Sequence, residues 1–335
     1  MESFQAFVLE KSGDAAAGSV RQVSPAQLPQ GEVTIRVHYS SVNYKDGLAA
    51  LPNSPIVKSY PFVPGIDLAG VIEHSDAEAF SPGDRVLVTG YGLGVEHDGG
   101  YSQYARVPAN WVVPLPEGLS MAEAMALGTA GFTAALSLYE LERNGLQPGE
   151  DTAPVLVTGA TGGVGSVAVS LLAARGYRVT ASTGKAAEHA YLQQLGATSI
   201  IGREELRPAD AKPLRKENWA AAVDPVGGEA LPFILGSIRY GGAAAVSGLT
   251  GGAAFPATVY PFILRGVKLL GIDSVYCPMA VRQEVWNKLG SSWKPLSYLS
   301  AGYRTIGLDE LPQALEDIMA GRLIGRVIVR LSADV

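Results

Sequence analysis

The chain has 335 residues, of which 47% are hydrophobic and 17% are charged, and its formal net charge is −6. This composition is typical of a globular protein with two domains or one large one, and the acidic balance argues against a nucleic-acid partner. The single cysteine, Cys277, excludes an intramolecular disulfide and favours a cytoplasmic location, where thiols stay reduced.

The amino-terminal segment 1–7 resembles the start of a strand and lacks the charged-then-apolar order of a signal peptide. No apolar stretch in the sequence looks long and uninterrupted enough to cross a bilayer. We therefore expect no membrane partner.

The first third of the chain predicts β-structure. Val33, Ile35, Val37 and Tyr39 alternate with more polar residues, which is the pattern of a half-buried strand. Three further short strands are expected between turns that contain glycine and proline, over 69–74, 84–89 and 101–107.

Ser120 and Glu123 have the spacing of a capping box, so a helix is predicted from there toward Asn144. Strands and helices then alternate, which predicts a parallel sheet covered by helices on both faces. The predicted strands are 155–158, 177–181, 199–201, 220–224 and 243–247, and helices are expected near Gly163, Ala186 and Gly227.

Beyond Val267 the pattern changes to a strand over 268–273, helices near 281–289 and 311–319, and a last strand over 327–331. This part of the chain is expected to return to the first domain. The predicted fold class is therefore α/β, with a β-rich domain over 1–122 and 268–335 and a doubly wound parallel sheet over 123–267.

A glycine cluster marks a dinucleotide-binding turn in segment 154–165. A short apolar run enters the cluster and a helical pattern leaves it, which is the order strand, turn, helix. Gly162 would let the backbone approach a pyrophosphate, and Gly165 would let the helix pack on the strand. The cofactor-binding residues predicted here are Ala160, Thr161, Gly162, Gly163, Val164 and Gly165.

The second strand of this unit predicts the cofactor. A site that prefers NADH places Asp or Glu after that strand, whereas this chain continues Ser182, Thr183, Gly184, Lys185. Hydroxyls and an ammonium accept a 2′-phosphate that a carboxylate would repel, so NADPH is the predicted cofactor. Arg203, after the third strand, is the second predicted phosphate contact; the plainer alternative is that both cations are solvated surface charges.

These features, with four further motifs, resemble the medium-chain dehydrogenase/reductase superfamily. The resemblance covers essentially the whole chain and is strongest to the zinc-free quinone-oxidoreductase-like branch of YhdH/YhfP-type acrylyl-CoA reductases. It implies a GroES-like catalytic domain and a Rossmann NADP-binding domain. The further motifs are segments 41–46, 64–70, 99–102 and 129–134.

The resemblance also bears on zinc. Zinc-dependent relatives have Cys where this chain has Asn43, and His where it has Ile66. A catalytic zinc needs three protein ligands, and the usual set is missing, so no metal is predicted.

Without a metal, reduction of an activated alkene is easier than reduction of a simple ketone. Hydride adds at the β-carbon while hydrogen-bond donors hold the charge that develops on the carbonyl oxygen. The resemblance implies this reaction on a short 2-enoyl thioester such as acrylyl-CoA. Tyr44 is the predicted catalytic residue, which would bind the nicotinamide or donate a proton or hydrogen bond to substrate; a packed aromatic is the plainer alternative.

The remaining site residues follow from the resemblance. Thr129, Gly248, Leu249 and Ser274 are expected near the nicotinamide. Lys45 is expected to form a structural ion pair with Asp46 and Asp67. The candidate cations for coenzyme A phosphates are Arg265, Lys268, Arg304 and Arg326.

Two other functions stay open at this point: an NADPH:quinone reductase, and an NADPH-binding protein with a structural or sensory role. For the two enzymatic functions the expected partner is a small-molecule substrate, namely an enoyl thioester, an enone or a quinone. The apolar segment 267–272 is expected to be a sheet edge that pairs two copies into a homodimer.

Overall fold

The computed structural model describes residues 3–12, 15–149, 153–207, 210 and 212–333, so Met1 and Glu2 of the expected first strand lie outside the described residues. The chain divides into two compact units. Unit 1 contains Met1–Thr129, Val275–Gly290 and Tyr303–Val335, and unit 2 contains Ala130–Ser274 and Ser291–Gly302. The predicted boundaries at 122/123 and 267/268 therefore differ from these, and the return of 291–302 to unit 2 had no counterpart in the prediction.

Unit 1 is built on a seven-stranded sheet and a two-stranded hairpin. Its strands are β1 Phe4–Ser12, β2 Ala15–Val23, β3 Val33–Ser41, β4 Asp67–Ser75, β5 Arg85–Thr89, β6 Tyr104–Val107, β7 Val113–Pro114, β14 Tyr303–Ile306 and β15 Arg326–Arg330. Its helices are α1 Tyr44–Ala49, α7 Met279–Leu289 and α9 Leu311–Met319.

The large sheet of unit 1 has the order β14-β15-β3-β4-β5-β7, with β6 also paired to β3. Residues from both ends of the chain share one apolar core, since Val33, Val86 and Val327 belong to the same buried cluster. In the register of β4 with β5, Asp67 lies opposite Thr89. The carboxyl end of β3 and the start of β4 therefore meet at one end of the sheet, where α1 begins.

Unit 2 is a six-stranded parallel sheet with the order β10-β9-β8-β11-β12-β13. Its strands are β8 Val155–Val157, β9 Val179–Thr183, β10 Ser199–Gly202, β11 Trp219–Asp224, β12 Ile238–Val246 and β13 Lys268–Gly271. Its helices are α3 Gly163–Ala174, α4 His189–Gln194, α5 Leu231–Ser237, α6 Tyr260–Arg265 and α8 Leu296–Ala301.

The strand order confirms the predicted fold class. The chain begins at β8, moves outward to β9 and β10, and then returns to the other side of β8 through β11. This reversal creates a topological switch point between β8 and β11, which is where open α/β sheets bind nucleotides.

The helix α2, Met121–Arg143, contains the boundary between the two units. The predicted capping box is present, since the Ser120 amide donates to Glu123 at 2.8 Å and the Glu123 amide donates to Ser120 Oγ at 3.1 Å. The helix is broken at Gly128, whose φ is 52° and ψ is −156°.

One expectation about α2 was wrong. By length and composition this helix could span a membrane, although no such stretch was expected. However, 83% of its apolar window is buried inside the protein, as in the core helix of a folded domain.

Candidate active site and nucleotide-binding site

One buried carboxylate of unit 1, Asp67 at the start of β4, collects hydrogen bonds from several segments, and the predicted site residue Thr129 is among its donors. Its oxygens accept hydrogen bonds from Ser41 Oγ at 2.5 Å and Asn43 Nδ2 at 2.8 Å. The Thr129 amide donates at 2.9 Å and the Thr129 hydroxyl at 2.5 Å. Asp67 is fully buried, so these donors replace the water that the carboxylate has lost.

The cation of this cluster is Arg326, the first residue of β15. Its Nη2 lies 3.4 Å from Asp67 Oδ2 and 2.7 Å from Ser41 Oγ, and its Nη1 donates to Val42 O at 2.9 Å and Asn43 Oδ1 at 2.8 Å. Arg326 is only 3% exposed. Its predicted role on coenzyme A phosphates is therefore wrong, because a buried, ion-paired guanidinium is not accessible to them.

The expected ion pair of Lys45 is also wrong. Lys45 makes no ion pair with Asp46 or Asp67 in the part of the chain that the structure describes, and Arg326 takes its place. The two aspartates do come together, as predicted, since the charge of Asp67 contributes to the raised pKa of Asp46. Lys45 itself is half-buried.

Asp46 is the third residue of α1 and is fully buried. Its carboxylate accepts the amide of Asn43 at 2.8 Å and the amide of Ile66 at 2.9 Å. Burial and the nearby Asp67 raise the pKa of Asp46 to about 7, although both hydrogen bonds act in the opposite direction. Asp46 is thus poised to gain or lose a proton near neutral pH.

The ring of Tyr101 closes the cluster from inside the sheet. Its hydroxyl donates to Ser41 O at 3.1 Å, and burial together with Asp46 raises the pKa of Tyr101 well above its usual range. Tyr101 therefore stays a neutral hydrogen-bond donor.

Tyr44 is the first residue of α1 and is 44% exposed, so its hydroxyl is available to a ligand. The preceding residue, Asn43, is tied to both Asp67 and Arg326. The start of α1 is therefore fixed by the buried cluster, and the position of Tyr44 with it.

Thr129, the other predicted site residue of unit 1, follows the break at Gly128. A Cβ on Gly128 would lie 2.5 Å from Asp67 Oδ2 and 2.7 Å from Arg326 Nη2. Both the conformation and the lack of space require glycine here, and the break lets the Thr129 amide leave the helix and reach Asp67.

In unit 2 the glycine turn has the predicted form. The helix α3 starts at Gly163 with Gly162 as its N-cap. A Cβ on Gly165 would lie 2.3 Å from Gly159 O, whereas a Cβ on Gly162 would meet only that oxygen, at 3.3 Å. Gly165 therefore serves close packing, and Gly162 leaves an open surface at a helix N-terminus that attracts anions.

The residues after β9 lie beside this turn. The Ala160 amide donates to Ser182 O at 3.1 Å, and the hydroxyls of Thr161 and Thr183 are 3.5 Å apart. A Cβ on Gly184 would lie 3.0 Å from Arg203 Cδ and Nε. The Arg203 side chain therefore rests on the loop that follows β9, and it forms no ion pair with the residues that the structure describes.

The remaining predicted contacts are on loops at the carboxyl ends of β12 and β13. Gly248 packs on Pro225, since its Cβ would lie 2.1 Å from Pro225 O, and Leu249 is 64% exposed. Ser274 Oγ accepts the Thr133 hydroxyl at 2.8 Å. No structural observation shows these three residues touching a cofactor, so their role stays a prediction.

The sequence reasoning missed three features of these sites: the ion pair of Arg326, the hydrogen bond of Tyr101, and the break at Gly128. The glycine at 128 was the one available signal, because glycine is unfavourable inside a helix. In the described parts of the chain, no three His, Cys, Asp or Glu side chains are grouped so that they could hold a metal ion.

The role of Gly128 predicts a large loss of stability for Gly128→Ala, about 3 kcal/mol or more, because the methyl group meets strain and a steric clash together. Gly266→Ala is the matched control, with φ at 59° and no atom within 4 Å of the added Cβ; its loss should be about 1 kcal/mol. Urea unfolding of both variants measures the difference, and equal losses would contradict the packing of Gly128 on the cluster.

The raised pKa of Asp46 predicts how stability depends on pH. The folded protein keeps this proton up to about pH 7, whereas the ordinary value is 3.8. The folded state therefore binds more protons between these values, and the contribution of Asp46 to the free energy of unfolding falls as pH rises through this window and is level above it.

Asp46→Asn should flatten that slope in urea unfolding between pH 5 and pH 8. Asp317→Asn is the control, because hydrogen bonds from Arg322 and Gln313 lower the pKa of Asp317, so this carboxylate is ionised between pH 5 and pH 8 and its removal should leave the slope unchanged. An unchanged slope in Asp46→Asn would show that Asp46 is ionised throughout.

Comparison with known proteins places these sites in a family. Residues 29–117 match the alcohol dehydrogenase GroES-like domain, and residues 163–290 match the zinc-binding dehydrogenase family. The acrylyl-CoA reductase AcuI of Ruegeria pomeroyi is 50% identical over 98% of this chain and 100% of its own length.

The putative quinone oxidoreductase YhfP of Bacillus subtilis is 54% identical over 98% of this chain and 99% of its own length. The crystal structure of B. subtilis yhfP with NAD bound covers 99% of this chain and 100% of its own, with a TM-score of 0.96. The yhdH oxidoreductase of Salmonella enterica in complex with NADP is 44% identical, covers 98% of this chain and 100% of its own, and has a TM-score of 0.94. This chain is therefore an oxidoreductase of the medium-chain dehydrogenase/reductase superfamily and belongs to its YhdH/YhfP type.

Proposed function

We propose that this protein is a zinc-independent, NADPH-dependent reductase that adds hydride to the β-carbon of an α,β-unsaturated carbonyl. The proposed substrate is a short 2-enoyl-CoA such as acrylyl-CoA. The observation that carries the proposal is the saturated Asp67 carboxylate, which is engaged by Ser41, Asn43, Thr129 and Arg326. Its lone pairs are used by hydrogen bonds, and its neighbours Asn43 and Ile66 are poor zinc ligands.

The relatives support the substrate class. The R. pomeroyi protein is named an acrylyl-CoA reductase, and it matches this chain along its whole length. The B. subtilis protein is named a putative quinone oxidoreductase, which favours quinone reduction as the alternative.

NADPH is the proposed cofactor because the residues present suit its 2′-phosphate. Lys185 is half-buried, and Arg203 lies on Gly184 without an acidic partner among the described residues. The predicted hydroxyls of Ser182 and Thr183 are buried, so the two cations carry the proposal. The solved relatives include one structure with NADP, one with NADPH and one with NAD, so the proposed preference depends on Lys185 and Arg203. Gly162 and the N-terminus of α3 suit the pyrophosphate.

Bound NADPH would supply the hydride to the β-carbon, and a proton taken up at the α-carbon would complete the reduction. The protein would then hold the negative charge that develops on the carbonyl oxygen of the substrate, exclude water and orient the alkene. Tyr44 is the proposed donor at this oxygen, because its exposed hydroxyl sits on a helix start that Asp67 and Arg326 fix. A second role, binding of the nicotinamide by Tyr44 and Thr129, uses the same positions.

We also propose a homodimer paired through β13, which is the edge strand of the unit 2 sheet. Leu269 on this strand and Val259, Ile263 and Leu264 near it are exposed apolar residues. An unpaired apolar edge favours association with a second copy. Cys277 is buried and is the single cysteine of the chain, which is compatible with a reducing cytoplasm, the proposed location.

The homodimer proposal predicts a dimer mass in sedimentation at micromolar concentration. Leu269→Lys would place a like charge across the proposed two-fold pairing and should shift the mass to that of a monomer. Leu296→Lys is the control, because Leu296 is also an exposed leucine but lies on α8 and not on the edge strand. A wild-type monomer, or equal behaviour of the two variants, would contradict pairing through β13.

The function is tested by a panel of acrylyl-CoA, longer enoyl-CoAs, simple enones and quinones, each with NADPH and with NADH. The reaction is monitored by nicotinamide absorbance. We expect the largest kcat/KM with acrylyl-CoA and NADPH. Faster reduction of quinones would establish the alternative, and no turnover of any substrate would favour a non-catalytic NADPH-binding role.

Two variants test the assigned residues. Arg203→Ala should raise the KM for NADPH by about tenfold, the value of one lost charge-assisted hydrogen bond, and leave the KM for NADH unchanged. Arg207→Ala is the control, since Arg207 pairs with Glu229 outside the loop after β9.

Tyr44→Phe should lower kcat/KM, and unchanged kinetics would remove Tyr44 from the site.

A further inference from the structure

A second buried carboxylate, Asp224, ends β11 in unit 2 at the switch point beside β8. It is fully buried. Asp224 lies at the carboxyl end of the sheet, one residue beyond Val223, which pairs with Val157 of β8. Neither the glycine motif nor the chemistry of hydride transfer assigns it a task.

The carboxylate of Asp224 joins the glycine turn to the loop after β11. It accepts the hydroxyl of Thr158, the first residue of the turn, in a short hydrogen bond. It also accepts the amide of Val226 at 3.1 Å and the amide of Gly227 at 3.1 and 3.2 Å. Its negative charge is thereby held by donors on two separate segments.

The loop after β11 contacts the segment 247–252, which follows β12 and contains the predicted contacts Gly248 and Leu249. The Ser247 amide donates to Asp224 O at 3.1 Å, and the Gly251 amide donates to Val226 O at 2.8 Å. A Cβ on Gly228, whose φ is 65°, would lie 2.2 Å from Gly251 O. The loop after β11 and the segment 247–252 are therefore packed backbone to backbone, with no room for a side chain between them.

We propose that Asp224 is a positioning residue for the cofactor, which sets the glycine turn and the segment 247–252 at a fixed spacing. The inference rests on the proposed NADPH site. The glycine turn would hold the pyrophosphate and the segment 247–252 would face the nicotinamide half, so their spacing determines whether the two halves of one dinucleotide are bound together. A carboxylate suits this place because all of its partners are donors, whereas an amide would turn its NH₂ toward one of them.

The test compares NADPH with adenosine 2′-monophosphate, which carries the 2′-phosphate but neither the pyrophosphate nor the nicotinamide. Asp224→Asn and Thr158→Val should weaken NADPH binding about tenfold, as expected for a lost hydrogen bond to a charged group. Both variants should bind adenosine 2′-monophosphate within about twofold of wild type, because its subsite lies at β9. Thr158→Ser keeps the hydroxyl and should bind both ligands like wild type.

Calorimetry gives the affinities, and thermal unfolding shows that each variant is folded; Thr158→Val serves alone if Asp224→Asn does not fold. Equal weakening of both ligands would show a general structural role and would overturn the inference. Unchanged NADPH binding in Thr158→Val would overturn it also. A wild-type protein that binds no NADPH would instead overturn the proposed function, so the two failures are distinguishable.

Discussion

The ion pair of Asp67 and Arg326 is the constraint on which the organisation of unit 1 depends. Removing two charges from water costs several kcal/mol for each, and the cost is offset only when hydrogen bonds satisfy both groups. Here the satisfying groups come from the end of β3, the start of α1 and the break in α2. Because both buried charges need these hydrogen bonds, the ion pair fixes three segments at once. Two of these segments carry the predicted site residues Tyr44 and Thr129.

The surroundings of this ion pair also explain why the pKa of the neighbouring Asp46 is raised to about 7. Burial is the main cause of the raised pKa of Asp46, and the charge of the neighbouring Asp67 adds to it. The hydroxyl of Tyr101 stays neutral for the same reason. The cluster thus contains neutral groups close to an ion pair, and all of them are buried.

Local patterns in the sequence predict much of this protein. The glycine turn, the capping box of Ser120 and Glu123, and the alternation of strands and helices all depend on residues within a few positions of one another, and the structure confirms them. Helix α8 and strand β14 were not predicted, because short segments leave weak periodic signals. The partner of Asp67 could not be predicted, because Arg326 reaches it only through the pairing of β15 with β3.

The two units use buried carboxylates in related ways. Asp67 collects donors from distant segments in unit 1, and Asp224 collects them from two neighbouring loops in unit 2. In both cases the carboxylate holds separate backbone segments in one arrangement.

The central claim is that the Asp67 carboxylate is fully engaged by its hydrogen-bond donors and Arg326, so that the enzyme works without zinc. Metal analysis of the purified enzyme, together with its activity, tests this claim most directly. The account predicts far less than one zinc per chain and full activity after prolonged treatment with a strong chelator. One zinc per chain, with activity lost on chelation and restored by zinc, would contradict it.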